Sequence, residues 1–386
     1  MMAAIKAAET LRSPAQLQKV PVLPQVTLYD KNDRLGRKLC LTGKGRCNIT
    51  NMRPWQEFAT HIHPNQEFLK HAFRAFSNEA VRDFFEQLGV PTTVEQGQRL
   101  FPQSMRATDV AQAMERRVRE LGVKVVNRPV ESIMALLEEN VVILATGGKS
   151  YPVTGSTGDG YAMAAETGHT VSRTFPSLTA LMPAGYNRSL EGLELKNVAL
   201  HLYVDKTKVQ SEEGEISFTN DGIEGALGYR VSRRAVWALV NGQKVELSLD
   251  LKPGLTLDKL EARIAREAGD GRLGWRILRG LMPDQLIDPF RKANPDLNAA
   301  NLAARLKDWR FRIETWKGYE RAVVTAGGVS LKEIVPKTMA SRIAEGLYFA
   351  GEVIDIDGDT GGYNLQVAFS TGALAGVSAA KVAMQP

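Results

Sequence analysis

The segment GEVIDIDGDTGGYN, residues 351–364, places acidic side chains and glycines directly after the apolar run 346–350. This pattern predicts a strand, an acidic glycine loop and a helix that begins near Tyr363. Glycine lets the backbone approach a ligand closely, and a helix N-terminus offers unpaired N–H groups and a positive dipole end. The segment is therefore typical of a site for an anionic or electron-rich cofactor.

Two other interpretations of the acidic loop stay open. Asp355, Asp357 and Asp359 alternate as ligands of Ca²⁺ do, but Thr360 stands where an EF-hand requires glycine and Gln366 where it requires a bidentate glutamate. A solvated acidic turn without a ligand is the second alternative, because glycine and aspartate together mark turns.

A second glycine-rich segment, residues 34–51, follows a strand expected at residues 26–30. The strand ends at Asp30, where a Rossmann-type domain places the acid that accepts hydrogen bonds from a ribose diol. The segment contains glycines that allow close backbone approach and cations that suit a pyrophosphate, namely Gly36, Gly43, Gly45, Arg37, Lys38 and Arg46. A merely flexible basic loop is the alternative.

The run ATGG at residues 145–148 follows the apolar strand expected at residues 141–145. Ligands of open α/β sheets bind at this carboxyl edge, and glycine lets them lie against it. Residues 155–160 are also rich in glycine but lack the Lys-Ser/Thr pair of a P-loop, which argues against nucleotide triphosphate hydrolysis. We expect Asp159 to cap a helix over residues 160–167.

Histidine and cysteine offer weaker signals. No Ser-His-Asp arrangement can be assembled, and structural or solvent-facing roles are expected for His61, His63, His71, His169 and His201. Cys40 and Cys47 fit neither a disulfide framework nor a zinc site. Lys44 and Arg46 could lower the pKa of the Cys47 thiol, but ordinary packing is the favoured role. No metal site is predicted.

The size and charge of the chain limit the classes of function. A chain of 386 residues exceeds the size of a single core, so two or three domains are expected. No apolar stretch has the length of a membrane span and the N-terminus lacks a signal-peptide pattern, so a cytoplasmic protein without a membrane partner is expected. The net charge of +6 suits a polyanion, but the basic residues are dispersed, which argues against a nucleic-acid partner.

The remaining patterns predict an α/β domain interrupted by an α+β insert. Period-two alternation at residues 200–204, 215–218 and 245–251 predicts an antiparallel sheet or barrel. Residues 257–281 and 298–309 read as helical, and residues 310–315 and 322–325 as a strand pair. Prolines at positions 14, 21 and 24 forbid regular structure between residues 11 and 25.

Four segments, 34–51, 145–159, 325–329 and 346–372, resemble the YhiN-like flavoprotein family of bacterial FAD-dependent oxidoreductases, which is related to aminoacetone oxidases and dehydro-bile-acid reductases. The resemblance implies an α/β fold with a split Rossmann-type FAD-binding domain at residues 1–180 and 330–386. It also implies a β-rich domain at 181–254 and 310–329 that carries a helical insert at 255–309. FAD is the implied cofactor, NAD(P)H a candidate reductant and a small molecule the substrate; the oligomeric state is not indicated.

The resemblance also implies roles for individual residues. Asp30 would hold the adenosine ribose, the loop 36–48 would line the pyrophosphate and flavin, and the C-terminal glycine segment would meet the ribityl chain and the N1/O2 edge. A helix N-terminus there stabilises the anionic reduced flavin. The implied cofactor-binding residues are Asp30, Lys31, Gly36, Arg37, Lys38, Thr42, Gly43, Gly45, Arg46, Cys47, Asn48, Val126, Ala145, Thr146, Gly147, Gly351, Glu352, Asp357, Gly361, Gly362, Tyr363 and Asn364. Catalytic residues are not identified.

The chain departs from the family pattern in four places. Relatives begin with a strand and a Gly-x-Gly-x-x-Gly turn, whereas this chain begins in the expected next helix, so weaker FAD binding is expected. The proline-rich stretch 11–25 replaces a usually short connection, and residues 134–140 replace a longer β-meander. The run FTNDGIEG at 218–225 replaces the commoner Gly-Ile-Ser-Gly-Pro form. The leading hypothesis is an FAD-dependent oxidoreductase. The rivals are a noncatalytic, cofactor-poor remnant and a flavoprotein whose FAD assists RNA binding.

Overall fold

The computed structural model describes residues 1–13, 23–269 and 273–385. The helices are α1 (Met2–Leu11), α2 (Trp55–Ala59), α3 (Gln66–Ala75), α4 (Asn78–Gln87), α5 (Ala107–Glu120), α6 (Ile133–Leu137), α7 (Asp159–Glu166), α8 (Gly225–Val240), α9 (Leu257–Ala268), α10 (Trp275–Leu281), α11 (Asp284–Ala293), α12 (Leu302–Lys307) and α13 (Tyr363–Ala383). The strands are β1 (Thr27–Tyr29), β2 (Thr50–Asn51), β3 (Ile62–His63), β4 (Thr92–Glu95), β5 (Arg99–Pro102), β6 (Lys124–Val126), β7 (Val142–Leu144), β8 (Phe175–Ser177), β9 (Leu181–Pro183), β10 (Glu194–Val204), β11 (Thr207–Thr219), β12 (Gly222–Glu224), β13 (Val245–Asp250), β14 (Trp309–Trp316), β15 (Val324–Ala326), β16 (Leu347–Phe349) and β17 (Asp357–Gly358).

The chain divides into two compact units, residues 1–175 with 324–386 and residues 176–323. The division into three domains expected from sequence stays a prediction. Within the described ranges, no helix has both the length and the apolar character needed to span a lipid bilayer.

Parallel strand pairs position the loops of the first unit that carry the predicted binding residues. β1 lies parallel to β6, with Thr27 opposite Lys124, and β16 lies parallel to β7, with Leu347 opposite Val142. The second pair joins strands that lie about two hundred residues apart in the chain. The single parallel sheet expected from sequence is not seen in the described residues, where these three-residue strands form two separate pairs.

Helix α13 is the centre of the first unit. One apolar cluster packs against its Phe369 and Ala373 and another against its Val367 and Ala375. A Cβ at Gly376 would lie 2.3 Å from the carbonyl oxygen of Ala3, so glycine there allows α1 to cross closely. Burial on several sides holds the N-terminus of α13 in place.

Other local predictions for this unit are met. The helical pattern 67–89 breaks where expected, because Ser77 caps α4 and its hydroxyl accepts a hydrogen bond from the Ala80 N–H at 3.2 Å. The irregular segment expected around Pro14 and Pro21 lies outside the described residues.

The second unit contains a closed antiparallel barrel in the order β10-β11-β12-β9-β14-β13. The predicted antiparallel sheet or barrel is thereby confirmed. Leu227, Val231 and Ala235 of α8 are fully buried, and α9 to α12 lie between β13 and β14 in the chain.

Two expectations for this unit are wrong. β14 pairs with β13 and β9, so residues 310–315 and 322–325 do not form a strand pair. Trp309 begins β14 and does not end a helix. Helix α11 was not predicted; Pro283 precedes it, where no intrahelical N–H bond is needed, and Pro289 is accommodated inside it.

Candidate cofactor site

The basic glycine loop turns sharply after β1 through the 3-10 segment Leu39–Gly45. Gly43 has a φ of +58°, in the left-handed region that favours glycine. A Cβ on Gly43 would lie 3.0 Å from the backbone nitrogen of Asn48, and the Cys47 N–H donates to the Thr42 carbonyl at 3.0 Å. The loop therefore folds back on itself and brings its glycine against Asn48.

The N-terminus of α13 meets the same asparagine. Gly362 caps this helix with a φ of +99°. A Cβ there would lie 2.4 Å from the carbonyl carbon of Thr50 and 2.8 Å from Asn48 Oδ1. Segments from both ends of the chain, containing Gly43 and Gly362, thus contact Asn48. Glycine at these two places leaves space for backbone and ligand rather than for a side chain.

Asn48 Oδ1 is buried and, within the described part of the chain, has no hydrogen-bond partner. A buried polar atom left unpaired costs about 1 to 3 kcal/mol, so its presence in a native fold calls for an external partner. A ribityl hydroxyl or a flavin ring N–H is the kind of donor that this oxygen lacks. The residues around Asn48 therefore fit FAD.

Two asparagines shape the loop before α13. Asn51 Nδ2 donates to the Gly361 carbonyl at 3.0 Å. The Asn364 side chain accepts from the Gly358 N–H at 2.8 Å and donates to the Gly358 carbonyl at 2.7 Å. With both ends of its amide engaged, Asn364 holds the loop in shape.

Glu352 connects the loops that follow several strands. Its Oε1 accepts from the Thr325 N–H at 2.7 Å, and its Oε2 lies 2.6 Å from Lys38 Nζ. A Cβ on Gly148 would lie 2.9 Å from the same Oε1. Because these residues follow β1, β7 and β16 or lie in β15, the carboxyl ends of those strands converge on one carboxylate.

Asn32 orients the Asp30 carboxylate at the end of β1. The Asp30 N–H donates to the Val126 carbonyl at 3.1 Å. The backbone N–H and Nδ2 of Asn32 both donate to Asp30 Oδ1 at 2.9 Å, and Asn32 Nδ2 also donates to the Thr154 carbonyl at 3.1 Å. The carboxylate at the end of β1 is thus oriented beside β6, where the ribose acid of a Rossmann domain is expected.

Asp159 does not cap α7 as expected. Gly158, with a φ of +86°, is the N-cap, and Asp159 is paired with Lys31 and Thr157 instead. Hydrogen bonds from Lys31 and Thr157 lower the pKa of Asp159. The left-handed glycine starts the helix without a side-chain cap and leaves the carboxylate to these partners.

The run 145–148 lies against the turn that begins α7. A Cβ on Gly160 would contact Thr146 Oγ1, and one on Gly147 would lie 3.1 Å from Ser156 Oγ. Ala145 and Thr146 stay exposed. The carboxyl end of β7 is therefore open to a ligand while its glycines are packed.

A partly buried acid that contacts two histidines was missed by sequence reasoning. Asp359 lies 2.8 Å from His61 Nδ1 and 3.2 Å from His63 Nε2, and the His61 ring stacks on Tyr363 at 4.4 Å. Burial of the Asp359 carboxyl acts to raise its pKa, but the hydrogen bonds from His61 and His63 outweigh it and lower the pKa to about 2. Since an ionised carboxylate only accepts hydrogen bonds, each contacting ring nitrogen carries a proton.

The position of these groups also bears on the alternatives for the acidic loop. Asp357 is 1% exposed and lies opposite His63 in the β3–β17 pair, which contradicts a solvated turn. In the residues that the structure describes, no cluster of three or more His, Cys, Asp or Glu side chains is arranged to hold a metal ion. The loop is part of the packed first unit.

Comparison with known proteins identifies the family. The family described as HI0933-like protein Rossmann domain matches residues 1–378. The chain belongs to this family. It is 30% identical to the 3-dehydro-bile acid delta(4,6)-reductase of Clostridium scindens, over 92% of this chain and 93% of that protein. It is 28% identical to the ribosomal RNA dihydrouridine synthase of Haemophilus influenzae, over 92% of this chain and 92% of that protein. It is also 28% identical to the ribosomal RNA dihydrouridine synthase of Escherichia coli, over 90% of this chain and 90% of that protein.

Membership of the HI0933-like family confirms the expected family of FAD-dependent oxidoreductases and its Rossmann-type fold. The individual binding roles stay predictions. Most of the predicted binding residues form two groups. The first is centred on Asn48 and Glu352 and also contains Lys38, Thr42, Gly43, Cys47, Gly351, Gly361, Gly362, Tyr363 and Asn364. The second lies around Asn32 and contains Asp30, Lys31, Arg37 and Val126.

Three other predicted residues, Gly36, Gly45 and Arg46, differ in what surrounds them. A Cβ on Gly36 would lie 3.2 Å from Ala111 Cβ, and Gly45 has open space around it. Arg46 pairs with Glu95 at 3.3 Å and lies over the Phe101 ring. Glu95 therefore partly neutralises the charge of Arg46.

The suggested activation of Cys47 is wrong. The thiol is fully buried, and burial raises its pKa to about 12 despite a hydrogen bond with Thr42. Neighbouring bases cannot stabilise a thiolate that is withdrawn from solvent. The packing role is therefore the correct one.

Proposed function

We propose that this protein is an FAD-dependent reductase whose substrate carries a C=C bond conjugated to a carbonyl group. The names of the two kinds of relative support this class. The 4,5 double bond of a 3-dehydro bile acid is conjugated to its 3-oxo group, and dihydrouridine arises when the uracil C5=C6 bond, conjugated to the C4 carbonyl, is saturated. Both reactions add two hydrogens to an electron-poor alkene.

The observation that carries the proposal is the cradle around Asn48. Two left-handed glycines leave backbone, not side chain, around a buried oxygen that lacks a donor. In this assignment Asp30 holds the adenosine ribose, the loop 36–48 the pyrophosphate, and Asn48 with the N-terminus of α13 the flavin. Bound FAD supplies the two-electron chemistry that saturation of an alkene requires.

The protein adds a polarised environment to this cradle. The 21-residue helix α13 directs its positive end at the site, and a helix N-terminus favours negative charge there. Lys38 contributes little net field because Glu352 neutralises it at 2.6 Å. The helix is therefore the main source of positive potential beside Gly362.

Saturation of an alkene also consumes a proton, and we infer that the Asp359 histidines supply it. Asp359 accepts hydrogen bonds from Nδ1 of His61 and Nε2 of His63; in this role the ring that acts is an imidazolium, whose second nitrogen gives its proton to the substrate and regains one from solvent. Both rings keep more than a quarter of their side-chain surface exposed. NAD(P)H, oxidised to NAD(P)⁺, is the proposed source of the electron pair.

Anaerobic reduction of the FAD-loaded protein tests the proposal. We expect NADPH or NADH to bleach the flavin band at about 450 nm, and a 3-oxo-Δ4 steroid acid or a uridine-containing RNA to restore it. Mass spectrometry of the product should show a gain of about 2 Da, the mass of the two hydrogens added.

Asn48→Ala should lower FAD affinity about fivefold to 150-fold, since about 1 to 3 kcal/mol is at stake. The control Asn140→Ala removes an exposed asparagine that bonds only to the Leu136 carbonyl among described residues and should bind FAD normally. A colourless protein that takes up no added FAD would favour the noncatalytic rival. A flavin that is reduced but never reoxidised by either alkene would contradict the substrate class.

A further inference from the structure

A groove of about 580 Å³ lies between α3 and the segment 331–342, away from the residues assigned to FAD. Four of its seven polar lining residues are cations, and the other three are Asn65, Glu67 and His71. The charged and titratable side chains that line it are Glu67, Lys70, His71, Arg74, Lys332 and Arg342. With His71 counted as neutral, four cations and one carboxylate leave a formal charge of +3.

Most of this charge is not neutralised by the protein. Lys70 pairs with Glu67 at 2.9 Å. The exposed side chains of Arg74, Lys332 and Arg342 have no ion-pair partner among the residues that the structure describes. Three like charges that converge without counter-charges repel one another, so an anion that neutralises them is stabilised.

Two arginines of helix α5, also in the first unit, are neutralised by carboxylates. Arg117 pairs with Glu9 at 2.8 Å and Arg119 with Glu115 at 2.6 Å. Two of the three arginines of α5 are therefore neutralised, and the third, Arg116, donates to the Leu88 carbonyl at 3.0 Å. What distinguishes the groove is that three of its four cations lie together without ion-pair partners among the described residues; the overall net charge of +6 does not show this.

The chemistry of the lining indicates the ligand class. Guanidinium groups bind phosphate oxygens in pairs, and an ammonium group acts as a point charge for phosphate. Between the cations lie apolar surfaces of the partly exposed Leu331 and Pro336, against which a base or sugar can pack. We infer that this groove binds the phosphate groups of a nucleotide-containing ligand, either an RNA strand or a nicotinamide dinucleotide.

The groove is connected to the cofactor site by aromatic packing. Phe73, on the buried side of α3, contacts Phe58 with ring centroids 4.9 Å apart, and Phe58 contacts Tyr363 at 4.8 Å. Tyr363 begins α13. A ligand held in the groove therefore binds to the same rigid part of the unit that carries Asn48 and the Asp359 histidines.

Binding measurements on the full, FAD-loaded chain test this inference. The groove variant combines Arg74→Gln, Lys332→Gln and Arg342→Gln. The control combines Arg266→Gln, Arg276→Gln and Lys381→Gln, which removes the same residue types and charge from exposed positions. The probes are a fluorescein-labelled single-stranded RNA, NADPH and inorganic phosphate as competitor, and the flavin spectrum and the Tm check folding.

If RNA is the ligand, the groove variant should bind the probe at least tenfold more weakly, with the salt dependence reduced by about 2 for three lost phosphate contacts. If the dinucleotide is the ligand, the Kd for NADPH should rise at least tenfold while RNA binding stays unchanged. Either result supports a phosphate site and identifies its source.

Equal effects in the groove and control variants, or no effect on either probe, would overturn the inference. Should the triple variant fold poorly, Lys332→Gln alone, at an exposed position, is the second test and should weaken binding about threefold, as expected for one phosphate contact. The flavin reaction can fail while this site is confirmed, because the binding of RNA and of NADPH is measured without turnover.

Discussion

Two loops of the first unit have nearly the same local sequence character but different surroundings. The loop before α7 and the loop before α13 are both rich in glycine and aspartate, and each starts its helix with a left-handed glycine, Gly158 or Gly362. A Cβ on Gly158 would meet the Lys149 side chain, whereas one on Gly362 would meet the backbone of Thr50. Flexible contacts surround the first loop and fixed backbone surrounds the second, so composition alone does not identify the cofactor loop.

The largest expected difference between the two loops is the stability lost when the N-cap glycine of each is replaced by alanine. Gly362→Ala should lower the free energy of unfolding by about 3 to 5 kcal/mol and abolish FAD binding, because it adds a backbone clash to left-handed strain. Gly158→Ala should cost about 1 to 2 kcal/mol, since the Lys149 side chain can move aside. Urea unfolding and flavin content measure both. Similar losses in the two variants would contradict the contrast.

The acids of the two loops should differ next. The side chain of Asp359 is 18% exposed and that of Asp159 is 47% exposed. The pKa of Asp359, lowered to about 2 in the folded state, gives stability that is present above the unfolded pKa near 4 and lost as the pH falls toward 2. Asp359→Asn should therefore cost about 2 kcal/mol at pH 7 and progressively less below pH 4.

The matched variant Asp159→Asn should cost about 0.5 kcal/mol or less, because solvent screens an ion pair that is half exposed. Urea unfolding of both variants between pH 2 and 7 gives the comparison. A constant difference between Asp359→Asn and the wild type across that range would show that the carboxylate charge is not what stabilises the loop.

Local patterns predicted the elements of this protein well and their partners poorly. The start of α13 at Tyr363, the strand before it and the break before α4 follow from glycine, apolar runs and a serine cap, which act within a few residues. The pairing of His61 with Asp359 spans 298 residues and that of Lys38 with Glu352 spans 314. No local signal specifies such contacts, because they arise only when distant strands align.

The same limit explains the errors in the second unit. β14 was expected to pair with the next strand in the chain, but its partners β13 and β9 are set by closure of the barrel. The burial of Cys47 likewise depends on the packing around it and not on the basic residues beside it in sequence. The candidate site was thus predicted as a set of loops, and its connecting side chains became visible only in the fold.

The smallest expected contrast concerns the lysines of the two loops. Lys38 pairs with Glu352, whose other oxygen is held by the Thr325 N–H, whereas Lys31 pairs with the more exposed Asp159. Lys38→Met should cost about 1 to 2 kcal/mol, because it leaves a partly buried carboxylate without its counter-ion, and Lys31→Met about 0.5 kcal/mol or less. Urea unfolding in low and in high salt checks this, since salt should erase the Lys31 effect and preserve most of the Lys38 effect. Equal sensitivity to salt would mean that both pairs are ordinary surface pairs and that Glu352 does not organise the strand ends.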